Sequence, residues 1–316
     1  MPDVVQDLLS KAFSMLCGPN TALITEAPTY SGSVAALAPH MDTVGATHAV
    51  ATDEHGLVPD ELERVLVAIA CDTPHLKPLL YTIPTGSNPT GASLTEARRD
   101  DVMRLAKEHD VLVLEDDPYY FLQYAPQRAR SLLSRDVDGR VLRFDSFSKV
   151  LSSGLRVGTV SGPPALVQQL SLDSQASCLH PSGVSQAAVL ALFKHWGVGQ
   201  CQDAPLGQMQ GHVEKVTSFY SAQCDAFMKA AEESCLAEVA DFSRPSAGMF
   251  VWMKCKGVHD TTKLIEEEAA AKKFLMVPGS SFYLDGRPSS FVRASFSTAS
   301  AEQMRFALEG LVSLLK

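Results

Sequence analysis

Residues 145–158 read Asp145-Ser146-Phe147-Ser148-Lys149-Val150-Leu151-Ser152-Ser153-Gly154-Leu155-Arg156-Val157-Gly158. One lysine lies among hydroxyls, and an arginine follows seven residues later. That arrangement suits a lysine that forms an imine with an aldehyde whose phosphate must be clamped. Hydroxyls donate to phosphate oxygens, and a guanidinium offers them a planar fork. A polar loop after a strand, carrying an ordinary surface lysine, is the alternative reading of so short a stretch.

Two segments upstream bear on that choice. The apolar run Leu79-Leu80-Tyr81-Thr82-Ile83-Pro84 leads into Thr85-Gly86-Ser87-Asn88-Pro89-Thr90-Gly91. Val111-Leu112-Val113-Leu114-Glu115 leads into Asp116-Asp117-Pro118-Tyr119-Tyr120. Both read as buried strands that end in polar residues. Active-site groups of α/β folds collect at the carboxyl ends of strands. Three such ends, carrying Asn88, Asp116 with Tyr119, and Lys149, can converge on one ligand.

In this order and spacing, Asn88-Pro89-Thr90-Gly91, Asp116-Asp117-Pro118-Tyr119-Tyr120 and the lysine segment with Gly154 and Arg156 resemble the fold-type I aminotransferases. That family uses pyridoxal phosphate (PLP). Glu115 to Gln123, Asp136-Val137-Asp138-Gly139-Arg140, Leu179-His180-Pro181-Ser182 and Arg293-Ala294-Ser295-Phe296-Ser297 are similar to its aminoadipate/kynurenine branch. The resemblance spans nearly the whole chain. It implies an α/β fold, with a mostly parallel central sheet flanked by helices and a smaller C-terminal α/β domain.

The resemblance also implies roles. Lys149 forms the imine and then moves a proton as general base. Asp116 sits beside the pyridine nitrogen, where a carboxylate favours the charged ring. Asn88 and Tyr119 hydrogen-bond the phenolic oxygen. Ser146, Ser148 and Arg156 hold the phosphate, and Tyr30 stacks on or near the cofactor. Arg293 grips the substrate carboxylate, with Asn88 and Tyr30 close to the substrate. Family members carry a long leading segment, then a Gly-Ser-Gln turn that cradles the phosphate at a helix start. Val4-Val5-Gln6 falls at that position, with Gln6 matching the glutamine. The implied activity is transfer of an amino group from a 2-aminoadipate- or kynurenine-like amino acid to a 2-oxo acid such as 2-oxoglutarate, by a homodimer. A PLP enzyme of another reaction type, a truncated and weakly active or non-catalytic homologue, and a ligand-sensing regulator on the same fold are the other readings.

Composition narrows the classes. The 316 residues are 46% hydrophobic and carry a net charge of −9, so a polyanion such as DNA is not an expected partner. No apolar run approaches the ~20 residues that span a bilayer. The opening Met1-Pro2-Asp3-Val4-Val5-Gln6 has neither a basic secretion signal nor an Arg-rich transit pattern. A cytoplasmic location is therefore expected, or a mitochondrial one if a leader precedes it. Seven cysteines without a C-x-x-C pair suggest reduced thiols. Nine histidines show no ligand spacing, so no metal is expected. His180 reads as a structural loop histidine.

The middle of the chain alternates strands and helices, which implies parallel pairing. Strands are expected at 22–24, 111–115, 141–144 and 157–160, and helices at 164–176 and 183–196. Ser93 and Glu96 form a capping-box pattern. Beyond residue 197 the pattern changes. A helix at 207–233, a strand at 248–253, a helix at 261–272, strands at 274–277 and 291–296, and a last helix opening at Ser300 are expected. The division is a large PLP-binding domain over 1–196 and a small domain over 197–316.

Overall fold

The computed structural model describes residues 4–316. The Val4 side chain and Met1-Pro2-Asp3, on which the expectation about a leader rests, lie outside the described residues. The large sheet has the order β3-β2-β1-β4-β5-β6-β7. Its strands are β1 (Thr21–Ala27), β2 (Ala46–Asp53), β3 (Gly56–Leu57), β4 (Lys77–Thr82), β5 (Leu112–Asp116), β6 (Val141–Ser146) and β7 (Gly158–Ser161). The five central strands are parallel, and both edge strands are antiparallel. The mostly parallel sheet is as expected; at its far edge β7 runs against β6. The eleven residues from Phe147 to Val157 form a return loop and not a crossover helix, so the chain turns back beside the strand it left.

The strands lie between two apolar layers, which explains their near-continuous hydrophobic sequences. Leu23, Leu79, Tyr81 and Leu114 face a layer that includes Leu9 and Phe13 of α1 (Val4–Leu16). Ile24, Leu80 and Val113 face the opposite layer, with Leu62 and Leu66 of α3 (Pro59–Asp72) and Val102 of α4 (Glu96–Glu108). Between these helices comes the short α2 (Ser31–Leu37).

The expected capping box at Ser93 does not form. Thr95 caps α4, accepting from Arg98 N, while Ser93 Oγ accepts from Gly86 N at 2.9 Å. Glu96 Oε1 accepts from Arg130 N. The hydroxyl two residues closer to the helix took the cap because Ser93 was engaged by the preceding turn.

Helices α5 (Pro164–Ser177) and α6 (Gly183–Trp196) follow the large sheet, and the long α7 (Met209–Glu233) comes after them. The second sheet is antiparallel, in the order β10-β11-β9-β8. It is built from β8 (Ala240–Phe242), β9 (Phe250–Cys255), β10 (Val277–Pro278) and β11 (Phe291–Ser295). The strand expected at 274–277 shrinks to the two-residue β10, and residues 262–271 are helical with a wider turn at Leu264–Ala269. The last helix, α8 (Ala301–Leu315), has the full capping box between Ser300 and Gln303. One apolar cluster runs from Phe13 and Tyr81 through Phe227, Met253 and Leu308, so the two sheets share a core. No helix among the described residues is long and apolar enough to cross a membrane.

Candidate active site

The carboxyl ends of β4, β5 and β6 deliver their polar residues to one cleft. Its lining includes Asn88 from the turn after β4, Asp116 and Tyr119 from the end of β5, and Ser146 and Lys149 from the end of β6. Tyr30, at the start of α2, and Val5, Gln6 and Leu9 of α1 complete the wall. Seven of the residues singled out in the sequence therefore meet: Gln6, Tyr30, Asn88, Asp116, Tyr119, Ser146 and Lys149. The cleft encloses about 60 Å³, below the roughly 300 Å³ at which small-molecule sites begin. A groove of about 740 Å³, lined by Trp252, Phe291 and Lys254 among others, is larger but holds none of these seven residues.

The turn that presents Asn88 is fixed by close backbone approach. Gly86 has φ +52° and lies against the second sheet, where an added Cβ would come within 2.7 Å of Gly248 N. Only glycine fits there. Asn88 Oδ1 accepts from Arg293 Nη1 at 2.8 Å, across 205 residues of sequence. Arg293 does not line the cleft itself. Its guanidinium lies 4.4 Å from the Phe250 ring centre and 5.2 Å from that of Phe282. Burial pulls its proton affinity below the usual arginine value, against the opposing pull of Tyr119 and Tyr30. Among the described residues its Nε has no hydrogen-bond partner.

Tyr119 lies beside Asn88, whose side chain opposes the rise in its proton affinity. Burial, then the neighbouring Asp116 and Tyr30, push its hydroxyl well above the usual range, so it stays a phenol and a donor. Tyr81 Oη donates to Asp116 Oδ2 at 2.7 Å, and Ser33 Oγ donates to Tyr81 Oη at 2.7 Å. Neither Tyr81 nor Ser33 was singled out in the sequence. Tyr81 reads there as one more apolar strand residue, and only its place in the Leu-Leu-Tyr-Thr alternation marks its face.

Beneath these residues lies a buried charge network. Arg143 donates through Nε and Nη2 to Asp145, and through Nη1 to Glu115 at 2.9 Å and Asp117 at 2.8 Å. It thereby ties the β5 end that carries Asp116 to the β6 end that leads to Lys149. Burial opposes the Arg143 charge, but Asp117, Asp145 and Glu115 outweigh it and hold the group fully cationic. Glu26, at the end of β1, accepts from Thr82 Oγ1, Ile83 N and Ser87 Oγ. Burial raises its pKa to about 7 against those bonds, and Asp116 adds to the rise.

The phosphate-side residues are less assembled. Ser148 N donates to Ser146 Oγ at 3.2 Å. Ser148 Oγ is buried and, among the described residues, has no hydrogen-bond partner. Arg156 does not line the cleft. It has φ +54°, and its Nη1 donates to Ser153 O at 2.8 Å. Gln6 Nε2 donates to Gly32 O at 2.8 Å. His180 is exposed, with Nδ1 2.7 Å from Pro181 O, and lies outside the cleft.

The donor set matches PLP in kind. A carboxylate, a phenol with an amide, a primary amine and a buried unpaired hydroxyl at Ser148 correspond to its ring nitrogen, phenolic oxygen, aldehyde and phosphate. The profile of the family described as "Aminotransferase class I and II" matches residues 7–311. The chain belongs to this family. It is 44% identical to the mitochondrial kynurenine/alpha-aminoadipate aminotransferase of Bos taurus, over 98% of this chain and 72% of the bovine protein. The Mus musculus counterpart is 41% identical with the same coverage. Among solved structures, LysN, an alpha-aminoadipate aminotransferase of Thermus thermophilus complexed with N-(5'-phosphopyridoxyl)-L-leucine, superposes with a TM-score of 0.84. It is 28% identical, and the match covers 98% of this chain and 75% of LysN. A Pyrococcus horikoshii kynurenine aminotransferase in complex with PMP gives a TM-score of 0.87 at 26% identity, over 98% of this chain and 72% of that one. The fold is that of the fold-type I enzymes, and this aminotransferase uses pyridoxal phosphate to transfer amino groups.

Proposed function

We propose that the aminotransferase takes a 2-aminoadipate- or kynurenine-like amino acid as donor and a 2-oxo acid such as 2-oxoglutarate as acceptor. The names of the most similar relatives support the donor class. The observation that carries the site assignment is the meeting of Asn88, Asp116, Tyr119 and Lys149 in one cleft, with Arg293 bonded to Asn88. When bound, PLP supplies the electron sink that makes the substrate Cα–H bond labile.

The chain's own residues do the rest in this reading. Lys149 Nζ is the attachment point, and it later carries the proton taken from the substrate Cα. Asp116 stabilises positive charge on the ring nitrogen. Asn88 and Tyr119 donate to the phenolic oxygen, and Tyr30 covers the ring. Ser146, Ser148 and Arg156 take the phosphate, with Gln6 at its edge. Arg293 holds the substrate carboxylate, and the Phe250 and Phe282 rings pack against its guanidinium. Such positioning fixes the Cα–H bond relative to the ring.

The test is chemical. Borohydride reduction of the holoenzyme followed by peptide mapping should place the cofactor on Lys149, and Lys149→Ala should abolish that label. A label on another lysine would overturn the assignment. Paired assays with aminoadipate, kynurenine and alanine against 2-oxoglutarate and pyruvate test the substrate class. Higher kcat/KM for alanine than for both larger donors would refute it.

The same reading includes a homodimer and the division into 1–196 and 197–316. Support for the dimer is a set of exposed apolar side chains on α5, α6 and their connection, Leu172, Leu179, Val184 and Leu190 at 49, 70, 83 and 54% exposure. Sedimentation showing only monomer at micromolar concentration would reject it.

A further inference from the structure

Tyr81 is fully buried between two polar contacts, and the site reading above leaves it without a task. Its hydroxyl donates to Asp116 Oδ2 and accepts from Ser33 Oγ, both at 2.7 Å. The parallel register pairs it with Thr25 of β1 and Leu114 of β5, so it stands in the sheet one strand from Asp116. Its ring is braced by Phe13 of α1, edge-on at 5.5 Å between centres. A rigid strand and a ring contact therefore aim the hydroxyl at one carboxylate oxygen, and Ser33 aligns its proton.

We propose that Tyr81, backed by Ser33, is a positioning residue for amino-group transfer: by engaging one oxygen of Asp116 it fixes how the carboxylate is turned toward the cofactor's ring nitrogen. The proposal rests on the reading that Asp116 serves the ring nitrogen. A phenol that donates to a carboxylate stabilises the charged form. Charged Asp116 in turn favours the protonated ring, which is the stronger electron sink. Tyr81 thus acts on the reaction through Asp116, touching neither substrate nor cofactor.

Among the described residues, the groups that act on Asp116 include Tyr81 from β4, Glu26 from β1 and Tyr119 just beyond β5. Lys149 shares the cleft, and α1 adds Val5, Gln6 and Leu9, none of them charged. Tyr81 itself does not ionise near neutral pH, because burial and then the adjacent carboxylate hold its hydroxyl well above the usual range. It serves as a donor throughout the working range.

The test is a double-mutant cycle on PLP affinity, measured by equilibrium dialysis of the full chain between pH 5 and 9. Tyr81→Phe keeps the ring and removes the donor. At neutral pH it should weaken PLP about tenfold, the low end for a hydrogen bond to a charged group. The fall in affinity on the acid side should begin at higher pH than in the unmodified protein, because a carboxylate that loses a donor binds its proton more readily. Ser33→Ala, a milder change that tests the same chain if Tyr81→Phe folds poorly, should weaken PLP about twofold. In an Asp116→Asn background, Tyr81→Phe should change PLP affinity less than twofold, since coupled residues do not add. An equal loss in both backgrounds, or an unmoved acid limb, would show that Tyr81 only packs, and would overturn the proposal. If Asp116→Asn alone leaves PLP affinity unchanged, the reading of Asp116 fails first and the proposal falls with it by a different signature.

Discussion

The ring side and the phosphate side of the cleft are built in different ways. On the ring side, three functional groups have a second side chain behind or beside them. Tyr81 stands behind Asp116, Arg293 behind Asn88, Asn88 beside Tyr119, and Arg143 spans the two strand ends below. On the phosphate side the helix start contributes Val5 and Gln6, Gln6 is bonded to Gly32 O, and Arg156 points one Nη at Ser153 O. Precision at a reacting centre comes from groups locked by a supporting shell. Among the described residues the ring side has that shell, whereas Gln6 and Arg156 bond backbone carbonyls.

The largest break in this contrast should come from Arg143. Arg143→Met keeps an unbranched apolar stem but leaves the buried carboxylates of Glu115 and Asp117 without their ion-pair partner. Removing one partner of a buried ion pair costs about 3–5 kcal/mol. Urea unfolding should show a loss of that order, and Arg143→Lys should fall between, since an ammonium cannot reproduce a fork that spans three carboxylates. A loss below about 1 kcal/mol for Arg143→Met would show that the network carries little of the ring side's rigidity.

A slightly smaller effect is expected from Glu26, which binds the Asn88 turn to β1. Burial is the main cause that lifts its carboxyl from the ordinary value of 4.5 to about 7. Its folded form therefore holds a proton more tightly than the unfolded chain does. The sign follows from that difference: the contribution is fully favourable below pH 4.5 and is lost as pH rises through about 7. The loss amounts to roughly 3 kcal/mol. Glu26→Gln should flatten the stability profile between those two pH values. An unchanged slope across that window would mean Glu26 is already ionised in the fold.

These cases also show what the sequence could reveal. Lys149, Asp116, Tyr119 and Asn88 were legible because each follows an apolar strand at short, fixed spacing, and strand ends of a parallel sheet must meet. Arg143, Glu26, Tyr81 and Ser33 were not. Their partners lie 28, 56, 35 and 48 residues away, and each pairing depends on strand order, not on neighbours in the chain. The direction of β7 was hidden for a similar reason. Alternating Gly158-Thr159-Val160-Ser161 looks the same whichever way the strand runs. At α4 the error was one of competition between two hydroxyls, and the tertiary contact of Ser93 with Gly86 decided it.

The smallest expected effect concerns Val5, which the resemblance read in the sequence sets against the serine of the family's phosphate turn. Its side chain is 5% exposed and fills space over β7: a Cβ on Gly158 would meet Val5 Cγ2 at 2.6 Å. Val5 is thus a packing residue, and replacing it by a donor sets packing against phosphate binding. Val5→Ser gives up about two buried carbon groups, or roughly 1.5 kcal/mol at ~0.8 kcal/mol each. It adds a hydroxyl at a helix start, where backbone donors favour an anion, and it widens the wall of a cleft of about 60 Å³. A new hydrogen bond to phosphate contributes about 1.5 kcal/mol, close to tenfold in affinity. The apo protein should therefore melt a few degrees lower while PLP binds more tightly, so the holo protein melts near the unmodified value. Dialysis should show slower loss of cofactor in step with that recovery. If Val5→Ser lowers both stability and PLP affinity, packing of α1 against β7 dominates, and the phosphate side depends on the helix being held in place, not on the number of donors it offers.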